Sequence, residues 1–299
     1  MPFTSATPMR SITALSCLLI TGSIFAVQTP KLVWEADGFI GPESIVLDEM
    51  RGEYYVSNMG TFGEGAMPHD GFVSRVSLDG NILELKWVAG LDDPKGLALA
   101  NGRLYVGDNP GMAEIDIGAG KIVATHAPDD GPGDFNDCTA DSDGNVYVSS
   151  GRLGTLFRLS DGKFESWYKL DRTKTGWLNG LKAEKDRLLL GGWSLRVADD
   201  KEQLGHISTI SFTDHSLGRI GTEPVCHVDG LEPDGAGGYT VTDWLTGDVL
   251  HVTADGETSP LLNLGKGTAD HAYVIEKRLL LIPQMMENKV RAYSWVPAE

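Results

Sequence analysis

Residues 41–58, GPESIVLDEMRGEYYVSN, hold the pattern that decides the fold. A polar entry leads into a short apolar run, a turn of charged residues and glycine follows, and a second run of Tyr and Val closes the unit. Short runs of β-branched and aromatic residues bounded by turn signals read as paired strands. The unit recurs as DPKGLALANGRLYVGDN (93–109), FNDCTADSDGNVYVSS (135–150), LNGLKAEKDRLLLGGW (178–193), VDGLEPDGAGGYTVTDW (228–244) and ADHAYVIEKRLLLIPQ (269–284). A third strand follows each, as in GFVSRVSLDG (71–80) and GTLFRLSDG (154–162). Most units then offer a fourth: NILELKWV, KIVATHA, KFESWYKL and, less clearly, TEPVCHV and SPLLNL.

The sixth unit has no fourth strand, whereas KLVWEA (31–36) belongs to no unit of its own. Completing the last sheet with that strand closes a ring and removes its seam. Six units of about 45 residues therefore predict an all-β protein, a six-bladed β-propeller of four-stranded antiparallel blades spanning 27–299, with the ring closed by the N-terminal strand. A helical reading fails, because glycine or proline interrupts every stretch before three turns of i, i+3, i+4 spacing accumulate.

Composition supports a folded chain and narrows its partners. The 299 residues are 41% hydrophobic and 22% charged, ordinary globular values. The net charge of −17 repels nucleic acid and anionic membranes, leaving cations and small neutral or electrophilic molecules. Residues 1–26, with Arg10, an apolar run and the small residue Ala26 at a cleavage-compatible position, read as a signal peptide; an uncleaved anchor is the alternative. Its removal implies an exported protein, periplasmic or secreted, with no membrane segment left. Cys17, Cys138 and Cys226 are too few for a disulfide scaffold or a thiolate metal site, and the last two read as buried thiols rather than a pair.

Residues just before the innermost strands of a propeller converge on its central channel. Aligning the units on the polar residue that ends each first strand brings Glu43, Lys95, Asn136, Asn179, Asp229 and His271 to one register, and all are polar. Glu43, Asn136, Asn179 and Asp229 form an oxygen-only set of charge −2, suited to one divalent hard cation: calcium first, magnesium or manganese next. Each residue singly fits turn capping equally well, and it is the shared register that argues for a site.

On these residues the chain resembles the senescence marker protein/gluconolactonase family of six-bladed propellers, related to diisopropylfluorophosphatase and more distantly to paraoxonases and strictosidine synthases. The resemblance spans 31–299 and rests on GPES, FND, LNG and VDG. It implies a channel cation held by Glu43, Asn136, Asn179 and Asp229, with Asp229 also activating water or attacking the electrophile. The family's sugar-holding Arg two residues before the third-blade Asn is replaced by Asp134, so sugar-lactone specificity does not carry over.

The expected function is divalent-metal-dependent hydrolysis of a lactone or related ester. Asp229, Lys95 and His271 are the candidate catalytic residues; Asp134 and Trp193 are candidate substrate contacts. Each has a plainer reading. Lys95 fits an ion pair with Asp134 or Glu43, His271 a hydrogen-bonded position in the closing blade, and Trp193 and Trp244 packing between blades. Asn58, Asp108, Trp193, Asp243 and Trp244, which end second strands, are candidates for the channel mouth. Serine-hydrolase elbows, phosphate loops and dinucleotide fingerprints are absent from the sequence. The competing function is a non-catalytic exported propeller that binds a small molecule or protein around a structural cation.

Overall fold

The computed structural model describes Met1 and residues 28–297, apart from 130 and 197–200; the expected signal peptide lies outside the described residues. Strand β1 (Lys31–Asp37) comes first. Blade one is β2 (Pro42–Asp48), β3 (Glu53–Asn58), β4 (Gly71–Ser77) and β5 (Ile82–Leu91), and blade two is β6 (Leu97–Ala100), β7 (Arg103–Val106), β8 (Met112–Asp116) and β9 (Lys121–His126). Blade three contains β10 (Phe135–Ala140), β11 (Val146–Ser150), β12 (Thr155–Ser160) and β13 (Lys163–Lys169). After the one-turn helix α1 (Arg172–Thr175), blade four runs β14 (Trp177–Ala183), β15 (Arg187–Arg196), a short branch β16 (Glu202–Leu204) paired to β15, then β17 (Ile207–Ser211) and β18 (Leu217–Ile220). Blade five is β19 (Val228–Pro233), β20 (Tyr239–Asp243), β21 (Asp248–Val252) and β22 (Thr258–Asn263). Blade six is β23 (Ala272–Val274), β24 (Leu279–Gln284) and β25 (Lys289–Ser294).

The closing sheet has the order β1-β25-β24-β23, so the chain start supplies the missing outer strand as the repeat count requires. Pairing runs antiparallel from Lys31↔Ser294 to Asp37↔Lys289. Glu35 accepts from Lys289 at 2.7 Å and from Arg291 at 2.5 Å. Trp34 lies over Gly80, whose φ of +87° and contact with the indole leave no room for a Cβ.

Alternation along the strands buries one residue in two on each face, and stacked blades enclose those faces. Six separate hydrophobic clusters result, one at each blade interface. One joins Ile45, Tyr54 and Val56 of blade one to Leu281, Val290 and Ala292 of blade six, which is how apolar burial seals the ring. Cys138 and Cys226 are both buried and free, as read from the sequence.

The expected fourth strand of blade four is displaced. TEPVCHV (222–228) approaches the next blade, whereas β18 at Leu217–Ile220 takes the outer position. Val225 and Cys226 instead enter the cluster between blades four and five.

Candidate active site

One irregularity, repeated in register, builds the centre. In blade one the partners run from Pro42↔Asn58 to Ile45↔Val56, three residues against two. The same step separates Phe135↔Ser150 from Cys138↔Val148, Leu178↔Gly192 from Leu181↔Leu190, and Val228↔Asp243 from Leu231↔Val241. Each inner strand therefore carries a β-bulge, and the first bulged residue is Glu43, Asn136, Asn179 or Asp229. A bulge re-aims a side chain that regular pleating would send into the blade interface. All four side chains line one cavity of about 280 Å³.

Within it the side chains form a chain across three blades. The Asn136 amide donates to Asn179 Oδ1, and the Asn179 amide donates to Asp229 Oδ1. Asp229 Oδ2 and Glu43 Oε2 are buried without any hydrogen-bond partner. Burial pushes both carboxyls well above the usual range; the Asp229 charge adds to it for Glu43, and the Asp270 and Asp243 charges add to it for Asp229. Two buried carboxylate oxygens with no donor, beside two amide oxygens, fit a divalent hard cation.

Lys95 also lines this cavity, but its ammonium pairs with Asp93 rather than with Asp134 or Glu43. The pairing has a local cause. Asp108 Oδ1 accepts the backbone N–H of Asp92 at 3.1 Å and of Asp93 at 2.6 Å, curling the entry loop back onto Lys95. Asn58 and Asp243 brace their own entry loops in the same way, accepting from Ile40 at 3.1 Å and His227 at 3.0 Å. None of these three lines the cavity; they are buried braces, not mouth residues.

His271 stands elsewhere. From Thr268↔Gln284 to Ala272↔Leu281 the chain counts four residues against three, and Ala269 donates to Pro283 O at 3.0 Å, so the bulged pair is Asp270 and His271. Asp270, not His271, thus occupies Glu43's register. His271 is buried, its Nε2 meets Thr240 Oγ1 at 2.7 Å, and burial lowers its pKa to about 3. It lines a second cavity of about 390 Å³ together with Asp270, Lys182 and Glu232. Asp134 is half-buried and lines neither cavity. Trp193, the candidate substrate contact, and Trp244 both line the first.

Sequence reasoning missed Asp137 and Asp270. Asp137 Oδ2 accepts from Leu181 N at 2.6 Å, tying blade three to blade four. Asp270 Oδ2 accepts from Ser44 Oγ at 2.6 Å, tying blade six to blade one, and burial lifts its carboxyl to about 7. The signal for Asp137 was a second polar residue after the aligned Asn136; Asp270 was hidden by a one-residue offset.

No protein-family model and no curated protein matches the chain in sequence. Solved structures do resemble it. A gluconolactonase from Xanthomonas campestris superposes with a TM-score of 0.66 at 14% identity, covering 90% of this chain and 96% of that one. A chain provisionally described as a gluconolactonase gives 0.63 at 17% identity, covering 91% and 94%. A catalytically inactive variant of virginiamycin B lyase from Staphylococcus aureus, solved with quinupristin, gives 0.58 at 14%, covering 88% and 99%. The neighbours establish the six-bladed fold; two are gluconolactonase-like and one is a variant of a lyase, a different class of enzyme, so chemistry must be argued from the site.

Proposed function

We propose that the protein is a hydrolase of a lactone or related ester that works with one divalent cation, calcium first, held by Glu43, Asn136, Asn179 and Asp229. The observation that carries this reading is the pair of buried, partnerless oxygens, Glu43 Oε2 and Asp229 Oδ2, in a cavity open to small molecules. When bound, such an ion supplies a Lewis acid for the substrate carbonyl and lowers the pKa of water.

The chain's own residues do the rest. Asn179 fixes Asp229 through Oδ1, holding the carboxylate so that it can orient the attacking water and take its proton. Lys95, held by Asp93, sets a positive group beside the cavity, where negative charge on the carbonyl oxygen gains from it. His271 has no step in this scheme, since it faces the second cavity. The gluconolactonase-like neighbours support the same class of reaction.

The test is hydrolysis of a small set of lactones and aryl esters by the purified protein, with and without chelator. Activity that is lost on chelation, restored by calcium and abolished in Asp229→Ala is expected. Activity that is absent, or undiminished by chelation and by Asp229→Ala, rejects the reading.

A further inference from the structure

The first cavity has a second kind of lining besides its oxygen donors. Besides the oxygen donors and Lys95, its lining consists of Met59, Phe62, Trp177, Trp193, Trp244 and Met285. Trp193 and Trp244 face each other at 6.5 Å between ring centres, tilted by 48°. Phe62 comes from the loop after β3 in blade one and meets Trp244 of blade five edge-on at 6.2 Å. Lys266 lies 5.0 Å over Trp244, and Arg172 lies 4.6 Å over Trp177, so cations hold two of the rings.

Blade packing does not call for these side chains. Met59, Trp193 and Trp244 each follow the residue opposite Pro42, Leu178 and Val228, so they share one register of the repeat. The corresponding residue in blade three, after Ser150, is Gly151, against which the Trp177 indole of blade four lies, so blade three itself puts no large apolar group in this register. Phe62 and Trp177 also remain 54% and 44% exposed, more than a packing role leaves.

We infer that the site takes a substrate whose non-reacting part is an aromatic ring, an aryl-bearing lactone or aryl ester, and that it selects against polyhydroxylated sugar lactones. This rests on the hydrolytic reading above. A sugar lactone brings a hydroxyl on most carbons, and each one buried without a partner costs roughly ten- to a hundredfold in affinity. Beyond Lys95 and the four oxygen donors, the lining residues offer little besides indole N–H groups as partners, and Asp134, which stands in place of the family's sugar-holding Arg, does not line the cavity. A flat ring instead finds aromatic faces on more than one side, which aromatic pairs favour in offset or edge-on contact. The cavity, about 280 Å³, has room for a single-ring substituent beside the reacting group.

The experiment compares three lactones with the same six-membered ring: δ-valerolactone, its 5-phenyl derivative and glucono-δ-lactone. We expect kcat/KM for the phenyl derivative to exceed that for δ-valerolactone at least tenfold and that for glucono-δ-lactone by more. In Trp193→Ala and Trp244→Ala that ratio falls at least tenfold, mainly through KM. Phe62→Ala, on an exposed loop and safe for folding, lowers it about threefold. Glucono-δ-lactone as the best substrate, or an unchanged ratio in all three variants, overturns the inference while leaving hydrolysis standing. Calorimetric titration with 6-phenylpiperidin-2-one, the uncleaved lactam counterpart, separates the two ideas. Binding that Phe62→Ala and Trp244→Ala weaken, without turnover of any lactone, supports the aromatic subsite and rejects hydrolysis. No binding and no turnover rejects both.

Discussion

Asn179 donates its amide to Asp229 across the junction of blades four and five, so one carboxylate oxygen of Asp229 is satisfied and the other is not. The unsatisfied oxygen, with its counterpart on Glu43, makes these four side chains electrostatically expensive to bury without a counter-ion. In chelator, Glu43→Gln removes one of two repelling buried charges and is expected to raise the unfolding midpoint by about 2–6 °C, on the order of 1–3 kcal/mol. The pH sign follows from the raised pKa of Glu43: its folded-state cost is absent below the unfolded value, grows as pH rises from there toward the folded one, and levels off above it. The gain should therefore be larger at pH 8 than at pH 5. With calcium present the order reverses, and the wild type should be the more stable. Differential scanning calorimetry of both proteins in both conditions checks this; a variant that is less stable in chelator contradicts the reading of the orphaned oxygens.

Glu43, Asn136, Asn179 and Asp229 were legible together because their blades keep one spacing from the first bulged residue to the end of the inner strand, as Asp48 and Asp141 illustrate. The sixth blade breaks that spacing. A 3-10 turn at Ile275–Lys277 replaces the end of its first strand, so aligning on Glu276 shifts the register by one and puts His271 where Asp270 belongs. The fourth strand of blade four was misplaced for a related reason. The inserted β16 branch lengthens the blade, and Val225 and Cys226 look strand-like because they are buried between blades, not because they pair as an outer strand. The role of Asp108, Asn58 and Asp243 could not be read at all, since a carboxylate or amide that braces a backbone loop has the same residue type as one that faces a ligand.

His271 gives the fold a measurable acid sensitivity. Burial first, and the nearby Lys182 charge second, lower its pKa to about 3, while Thr240 holds Nε2 at 2.7 Å. A group with a depressed folded pKa contributes stability above its unfolded value, near 6.5, and loses it as pH falls toward the folded value. His271→Gln keeps a hydrogen-bonding group opposite Thr240 but does not titrate. The stability of wild type relative to this variant should be about 3 kcal/mol smaller at pH 4 than at pH 7. Urea unfolding at the two pH values measures it, and a difference that does not change with pH removes His271 from the account.

Lys182 and Glu232 pair at 2.6 Å in the second cavity, with Asp270 and Asp137 close enough to favour the ammonium further. Replacing Lys182 by Met leaves the Glu232 carboxyl, itself raised by burial, without its counter-charge. A fully buried broken pair costs about 3–5 kcal/mol. The Lys182 side chain keeps 33% of its surface, so solvent reduces the loss to about 1–3 kcal/mol. Lys182→Met with Glu232→Leu should recover most of it, because the pair then leaves no charge behind. A double-mutant cycle by chemical denaturation checks the coupling, and additive losses would show that the two residues act independently.

Ring closure depends on a strand that the last blade borrows from the chain start. Removing residues 1–37 uncovers the β25 edge and the Val290 and Ala292 side of the cluster shared with blade one. An open edge beside exposed apolar residues invites pairing with another molecule. The truncated chain is expected to unfold at a lower midpoint and to form soluble oligomers or aggregate, as light scattering would register. Trp34→Ala tests the same closure without exposing an edge. Trp34 packs on Tyr54 at 6.1 Å between ring centres and covers Gly80, but it is only partly buried. Its loss should cost about 1–3 kcal/mol, below the range for a full core Trp→Ala change. Because β1 touches blades one and six and stands apart from the bulged inner strands, the midpoint should fall while calcium affinity measured at 25 °C changes less than threefold. A large loss of affinity in Trp34→Ala would mean that blade closure and the geometry of the oxygen donors are one cooperative unit instead of two.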